Sequence, residues 1–76
     1  MNISNTLLTM FAVYDTPTGE TKRAKKKTIG FSAAKESAFV QSLLDKGNTN
    51  IHIGVRFGRI PKGELNRMTV EDTLTV

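Results

Sequence analysis

The chain is predicted to adopt an α+β fold of element order ββαββ, a two-layer sandwich with one helix packed on a mainly antiparallel sheet. Three observations support this prediction. Residues 50–60, NIHIGVRFGRI, alternate with the period of a strand that has one buried face. Residues 32–46 carry the apolar spacing of a helix, and residues 7–14 form an uncharged apolar stretch. The chain has 76 residues, so residues 1–76 are expected to form a single small domain.

The first strand is predicted from residues 7–14, LLTMFAVY, where both alternating sets of side chains are apolar or nearly so. Such a strand is covered on both faces and lies in the centre of its sheet. The helix covers one face. The second cover comes either from another subunit or partner, which predicts a homodimer, or from the loops and termini of the same chain. The sequence leaves both alternatives open.

The second strand follows a turn at residues 15–20, DTPTGE, in which Pro17 presets φ and Gly19 accepts a positive φ. The strand contains residues 22–27, KRAKKK, and regains apolar character at Ile29. Consecutive lysines repel one another, so this segment is expected to be exposed. It is either a basic β-arm that follows a phosphate backbone or an edge strand whose lysines prevent aggregation.

The helix is predicted over residues 32–46, with Ser32 as its N-cap and Gly47 as the left-handed residue that follows its end. Its apolar stripe is expected to pack on the apolar face of the third strand. The side chains predicted to form this core are Phe39, Val40, Leu43 and Leu44 from the helix and Ile51, Ile53, Val55 and Phe57 from the strand.

The other face of the third strand presents His52, Gly54, Arg56 and Gly58. The two glycines leave little side chain over the backbone, so a flat group can approach closely. This face is either simply hydrated or the place where a flat, anionic group binds.

A fourth strand is predicted after a turn at residues 61–63, because Pro61 cannot donate to a strand ladder. The segment that follows alternates again. Asp72 interrupts its apolar row, so it is either one bent strand or two short pieces. The apolar row consists of Met68, Val70, Leu74 and Val76.

Residues suited to catalysis or metal binding are scarce. The chain has no cysteine and one histidine, which excludes disulfides and sites rich in cysteine or histidine. No stretch has the spacing of a phosphate-binding loop or a dinucleotide fingerprint. We therefore expect no enzyme and no cofactor. The absence of a secretory leader pattern and of an apolar run of about 18 residues predicts a cytoplasmic protein without a membrane span.

The formal net charge of +4 favours an anionic partner. The first hypothesis is a small accessory protein that binds the phosphate backbone of DNA or RNA as a homodimer. The second is a small protein-interaction module or inhibitor, of phage or plasmid type, that binds an acidic surface of a larger protein or complex. A structural subunit of a larger assembly is a third. The candidate binding residues are Lys22, Arg23, Lys25, Lys26, Lys27, His52, Arg56, Arg59, Lys62 and Arg67.

These candidates form two groups in the sequence, residues 22–27 and residues 52–67. The groups merge into one surface if the second and third strands lie near each other in the sheet. Tyr14, if exposed, would add a platform for base stacking. A single aromatic candidate favours binding that is directed at the backbone and only weakly specific for sequence.

Overall fold

The computed structural model describes residues 6–74. It is an α+β fold with a three-stranded antiparallel sheet of strand order β2-β1-β3. No helix within these residues is long and apolar enough to cross a membrane. The elements in chain order are β1 (Leu7–Asp15), β2 (Thr21–Ile29), α1 (Ala33–Leu44), β3 (Thr49–Phe57), α2 (Lys62–Leu65) and α3 (Val70–Leu74).

The central strand is β1, as its two apolar faces predict. Met10 and Ala12 belong to the core on one side of the sheet, and Phe11 and Val13 belong to the core on the other side. All four side chains are at most 2% exposed. Burial on both faces therefore places β1 between two packed layers.

The helix α1 begins after its predicted N-cap, Ser32, and ends at Leu44, two residues before the predicted end at Lys46. The Ser32 hydroxyl accepts a hydrogen bond from the Lys35 backbone N–H at 3.2 Å, which satisfies one of the unpaired donors of the first turn. After the helix, Gly47 has a φ of +83° and donates its N–H to the Leu44 carbonyl at 2.9 Å. Glycine adopts this left-handed conformation without steric cost, so the chain can turn away from the helix two residues after its C-cap, Asp45.

The layer formed by α1 covers only part of the apolar row on β3. Ile51 and Ile53 pack against the core around Phe39 and Leu43, as predicted. The prediction that Val55, Phe57 and Leu44 are core residues is wrong, because these side chains are 38%, 66% and 47% exposed, and Val40 is half-buried. A helix of 12 residues is about 18 Å long, whereas a strand of 9 residues is about 30 Å long. One end of β3 is therefore left uncovered.

The second face of the sheet is covered by residues 60–74 of the same chain, which we call the C-terminal layer. Ile60, Leu65 and Met68 pack against Phe11 and Val13 in one core cluster, and all five are at most 6% exposed. Within this layer, α2 contacts β2, and α3 contacts β1 and β3. For this face of β1 the sequence left two alternatives, a second subunit or partner and the loops and termini of the same chain, and the second alternative is the one observed.

The predicted fourth strand is wrong, because the segment forms two short helices, α2 and α3. The Asp72 carboxylate, expected to interrupt a strand, accepts hydrogen bonds from the Thr69 backbone N–H at 2.7 Å and the Thr69 hydroxyl at 3.1 Å. This T-x-x-D arrangement is one half of a capping box at the start of α3. The helices have four and five residues, too few to show a helical period. Val76 lies outside the described residues.

Gly54 lies beneath the aromatic ring of Phe11, its partner in the register between β1 and β3. A Cβ atom at Gly54 would come within 3.0 Å of three atoms of that ring. The space that glycine leaves on this face of β3 is therefore occupied by Phe11, a part of the core, and is not open to a ligand.

We predict that Gly54→Ala lowers the free energy of unfolding by about 1–3 kcal/mol, because the added methyl group displaces the Phe11 ring from a packed core. Chemical denaturation measures this loss. Combining Gly54→Ala with Phe11→Leu should cost less than the sum of the two single changes. Strictly additive costs in this double-mutant cycle would contradict the contact.

A candidate anion-binding cleft

The KRAKKK segment lies in β2, at one edge of the sheet. Its register with β1 divides the basic side chains between the two faces. Lys22 and Lys26 lie on the side of α1, and Arg23, Lys25 and Lys27 lie on the side of the C-terminal layer. The four lysines are exposed, as expected, and Arg23 is half-buried.

Two of these basic side chains bind the backbone of the C-terminal layer. Arg23 donates from Nε to the Met68 carbonyl at 2.9 Å, and Lys25 donates from Nζ to the Ile60 carbonyl at 2.5 Å. Hydrogen bonds from charged donors are roughly twice as strong as those between neutral groups. Part of the positive charge on β2 therefore holds the C-terminal layer against the sheet.

Lys25 and Lys27 line a cleft of ≈ 330 Å³ with Arg59, Ile60 and Pro61, which we call the basic cleft. The chain leaves β3 through Gly58, whose φ of +77° requires the left-handed conformation that glycine accepts. The residues that follow enter the C-terminal layer and bring Arg59 to the lysines of β2. Two parts of the sequence far apart thus supply one group of cations.

A second depression, of ≈ 200 Å³, adjoins the basic cleft and shares Lys27 and Arg59 with it. Its other lining residues are Leu7, Thr28 and Ile29. Within residues 6–74, an ion pair forms between Arg56 and Glu64. Neither Lys27 nor Arg59 forms an ion pair with a carboxylate in this part of the chain. These two cations therefore create a positive potential that is not compensated locally.

Arg56 is not part of the basic cleft. The condition under which the two basic groups would merge, that β2 and β3 lie near each other, is not met, because β1 separates these strands. Arg56 forms an ion pair with Glu64 of α2 instead. This pair links β3 to the C-terminal layer, and it compensates the charge that was expected to contact a ligand.

The remaining candidate residues, His52, Lys62 and Arg67, also lie outside the cleft. His52 is half-buried and lines a separate depression of ≈ 210 Å³ at the hairpin end of the sheet. Lys62 is the exposed first residue of α2, and Arg67 donates from Nε to the Gly63 carbonyl at 3.2 Å. The structure thus brings together three of the ten predicted residues, Lys25, Lys27 and Arg59.

Sequence reasoning missed Ile60 and Pro61 as lining residues of the cleft. The sequence pattern places Ile60 at the end of the third strand and Pro61 in the turn that follows. Ile60 is 1% exposed and belongs to the core of the C-terminal layer, so its position depends on long-range packing. The local signal that the strand ends earlier is Gly58, which was assigned to the polar face of the strand.

Asp15 connects all three strands at the hairpin end of the sheet. Its carboxylate accepts hydrogen bonds from the Asn50 side-chain amide at 2.9 Å and from the Thr21 hydroxyl at 3.1 Å. Both hydrogen bonds lower the pKa of the Asp15 carboxyl below its ordinary value, and the bond from Asn50 has the larger effect. Desolvation opposes this shift, and the charge of His52 adds to it.

The lowered pKa of Asp15 predicts a pH-dependent contribution to stability. This contribution is present above the unfolded pKa of about 4 and is lost as the pH falls through the folded pKa. Asp15→Ala should therefore reduce the free energy of unfolding more at pH 7 than at pH values below about 4, as measured by chemical denaturation. A difference between variant and wild type that stays constant over this range would contradict the assignment.

No group of three or more histidine, aspartate or glutamate side chains within residues 6–74 is arranged to hold a metal ion.

Comparison with known proteins gives no functional assignment. No protein-family model, no curated protein and no solved structure matches this chain.

Proposed function

We propose that the protein is a small, non-catalytic nucleic-acid-binding protein of the cytoplasm, and that the basic cleft contacts the phosphate backbone. The observation that supports this most is the pair formed by Lys27 and Arg59. Both line the same two depressions, and neither is paired with a carboxylate within residues 6–74. The two non-bridging oxygens of a phosphodiester accept hydrogen bonds from both kinds of side chain.

The lysines of β2 favour a linear polyanion over a single compact anion. Lys22 and Lys26 lie on one face of this edge strand, and Lys25 and Lys27 lie on the other. Cations therefore flank the sheet edge on both sides from residue 22 to residue 27, a distance of about 17 Å. A nucleic-acid backbone that follows this edge contacts several of them in succession, with release of counterions at each contact.

The same surface offers little for recognition of bases. Among the described residues that line the basic cleft, none is aromatic. Tyr14, which we expected as a stacking platform if exposed, is half-buried and packs against the core beneath α1. Contacts to phosphate position a nucleic acid without reading its sequence. We therefore propose binding of DNA or RNA with weak sequence specificity.

Fluorescence anisotropy with random-sequence DNA and RNA, measured at several salt concentrations, tests this proposal. Affinity should fall steeply with salt. Lys27→Ala and Arg59→Ala should each weaken binding several-fold at low salt and reduce the slope of log K against log salt by about 1, because each removes about one phosphate contact. The matched control is Lys46→Ala, which removes one exposed cation beyond the end of α1 and should leave the slope unchanged.

Three results would contradict the proposal. They are no binding at low salt, binding that is indifferent to salt, and an equal loss of affinity in Lys46→Ala and the two cleft variants. Absence of binding, or binding that does not depend on salt, would show that the interaction is not electrostatic. An equal loss of affinity in the control variant would show that the basic cleft has no special role.

A protein-interaction module or inhibitor of phage or plasmid type is the second candidate function. It is favoured by the exposure of Val55 and Phe57, which a phosphate backbone does not use. Affinity purification after nuclease treatment separates the two candidates. Retention of a stoichiometric acidic protein favours the second candidate, and loss of every partner with the nucleic acid favours the first.

A further inference from the structure

The two outer strands of the sheet have different edges. The edge of β2 carries four exposed lysines, which oppose pairing with another strand. From Ile51 to Phe57, β3 contains no lysine and no proline. Its one arginine, Arg56, is already paired with Glu64 of the same chain. The edge of β3 thus lacks the charges that normally protect a long edge strand.

The unpaired backbone groups on β3 belong to the residues that also form its apolar row. The Gly58 N–H donates to the Leu7 carbonyl at 3.0 Å, so Gly58 points its backbone groups toward β1. The direction of the backbone N–H and C=O groups alternates from one residue to the next along an antiparallel strand. The backbone groups of the even-numbered residues of β3 therefore point toward β1. The odd-numbered residues from 51 to 57 therefore direct their N–H and C=O groups outward. Their side chains are all apolar.

We propose that β3 pairs antiparallel with β3 of a second copy of this chain, forming a symmetric dimer with a continuous six-stranded sheet. A two-fold axis perpendicular to the sheet keeps every side chain on its own face. Odd-numbered residues then meet odd-numbered residues of the second copy. With the axis at Gly54, Ile53 meets Val55 and Ile51 meets Phe57, so every cross-strand pair on the α1 face is apolar.

The arrangement of charges identifies a second copy as the occupant of this edge. An antiparallel pair of β2 strands would place lysines against lysines, whereas a pair of β3 strands places uncharged rows together on the α1 face. In the symmetric dimer the edges of both β3 strands are paired with each other. The outer edges of the six-stranded sheet are then the two lysine-rich β2 strands, so assembly stops at two chains.

The dimer affects the affinity for nucleic acid, a consequence that rests on the proposed function. A perpendicular axis places both basic clefts on the same face of the sheet, at its opposite edges. Five strand spacings separate the two β2 strands, which is about 24 Å across the sheet. Two clefts on one face can contact one nucleic-acid molecule, so the dimer should bind it more tightly than the monomer does.

Val55→Pro tests the interface. The Val55 N–H points outward, so proline removes a donor from the dimer interface and none from the ladder with β1. Phe57→Lys is a second variant that adds a charge at an exposed position without changing the backbone. Ile29→Lys is the matched control, since Ile29 is an exposed apolar residue of β2, 57% exposed against 66% for Phe57.

Light scattering coupled to size-exclusion chromatography, without nucleic acid and from about 1 µM to 1 mM protein, gives the outcome. Wild type and Ile29→Lys should reach the mass of two 8.4 kDa chains. Val55→Pro and Phe57→Lys should stay monomeric while keeping the circular dichroism of the folded protein. If Val55→Pro does not fold, Phe57→Lys alone decides.

A wild type that is monomeric throughout this range overturns the proposal. So does a dimer that persists in the folded β3 variants, because that dimer uses another surface. Since nucleic acid is absent from this measurement, failure of the dimer is distinguishable from failure of the phosphate-binding proposal.

Discussion

The burial of β1 between two layers is the constraint on which the rest of the structure depends. With α1 on one face, a chain of 76 residues has little sequence left to cover the other. The C-terminal layer provides that cover by packing Ile60, Leu65 and Met68 against Phe11 and Val13. Gly54 allows this packing, because a side chain there would collide with the Phe11 ring.

The candidate site is a consequence of this layer. To cover β1, the chain must leave β3 and approach β2, and this path carries Arg59 to Lys27. The layer is in turn held by Arg23 and Lys25, which donate to its carbonyls. The sequence offered two explanations of the KRAKKK segment, edge protection and ligand binding. The structure adds a third, attachment of the C-terminal layer, and leaves Lys27 without a carboxylate partner within residues 6–74.

Local patterns predicted the elements with strong periodicity or clear caps. These are the first three strands and α1, with its N-cap Ser32 and its final glycine, Gly47. They failed where the structure depends on contacts distant in sequence. The surroundings of Arg56 are such a property, because β1 separates Arg56 from β2 and Glu64 of α2 forms an ion pair with it. The alternation of residues 68–76 resembled a strand, although the Thr69–Asp72 pair marked the start of a short helix.

In this structure, the second face of β1 is covered by residues of the same chain. Isotope-filtered nuclear Overhauser measurements on a mixture of labelled and unlabelled protein test it most directly, because they separate contacts within a chain from contacts between chains. We expect contacts between the Phe11 ring and the methyl groups of Ile60 and Met68 within the same chain, at every protein concentration. Contacts seen only between chains, or none at all, would contradict it.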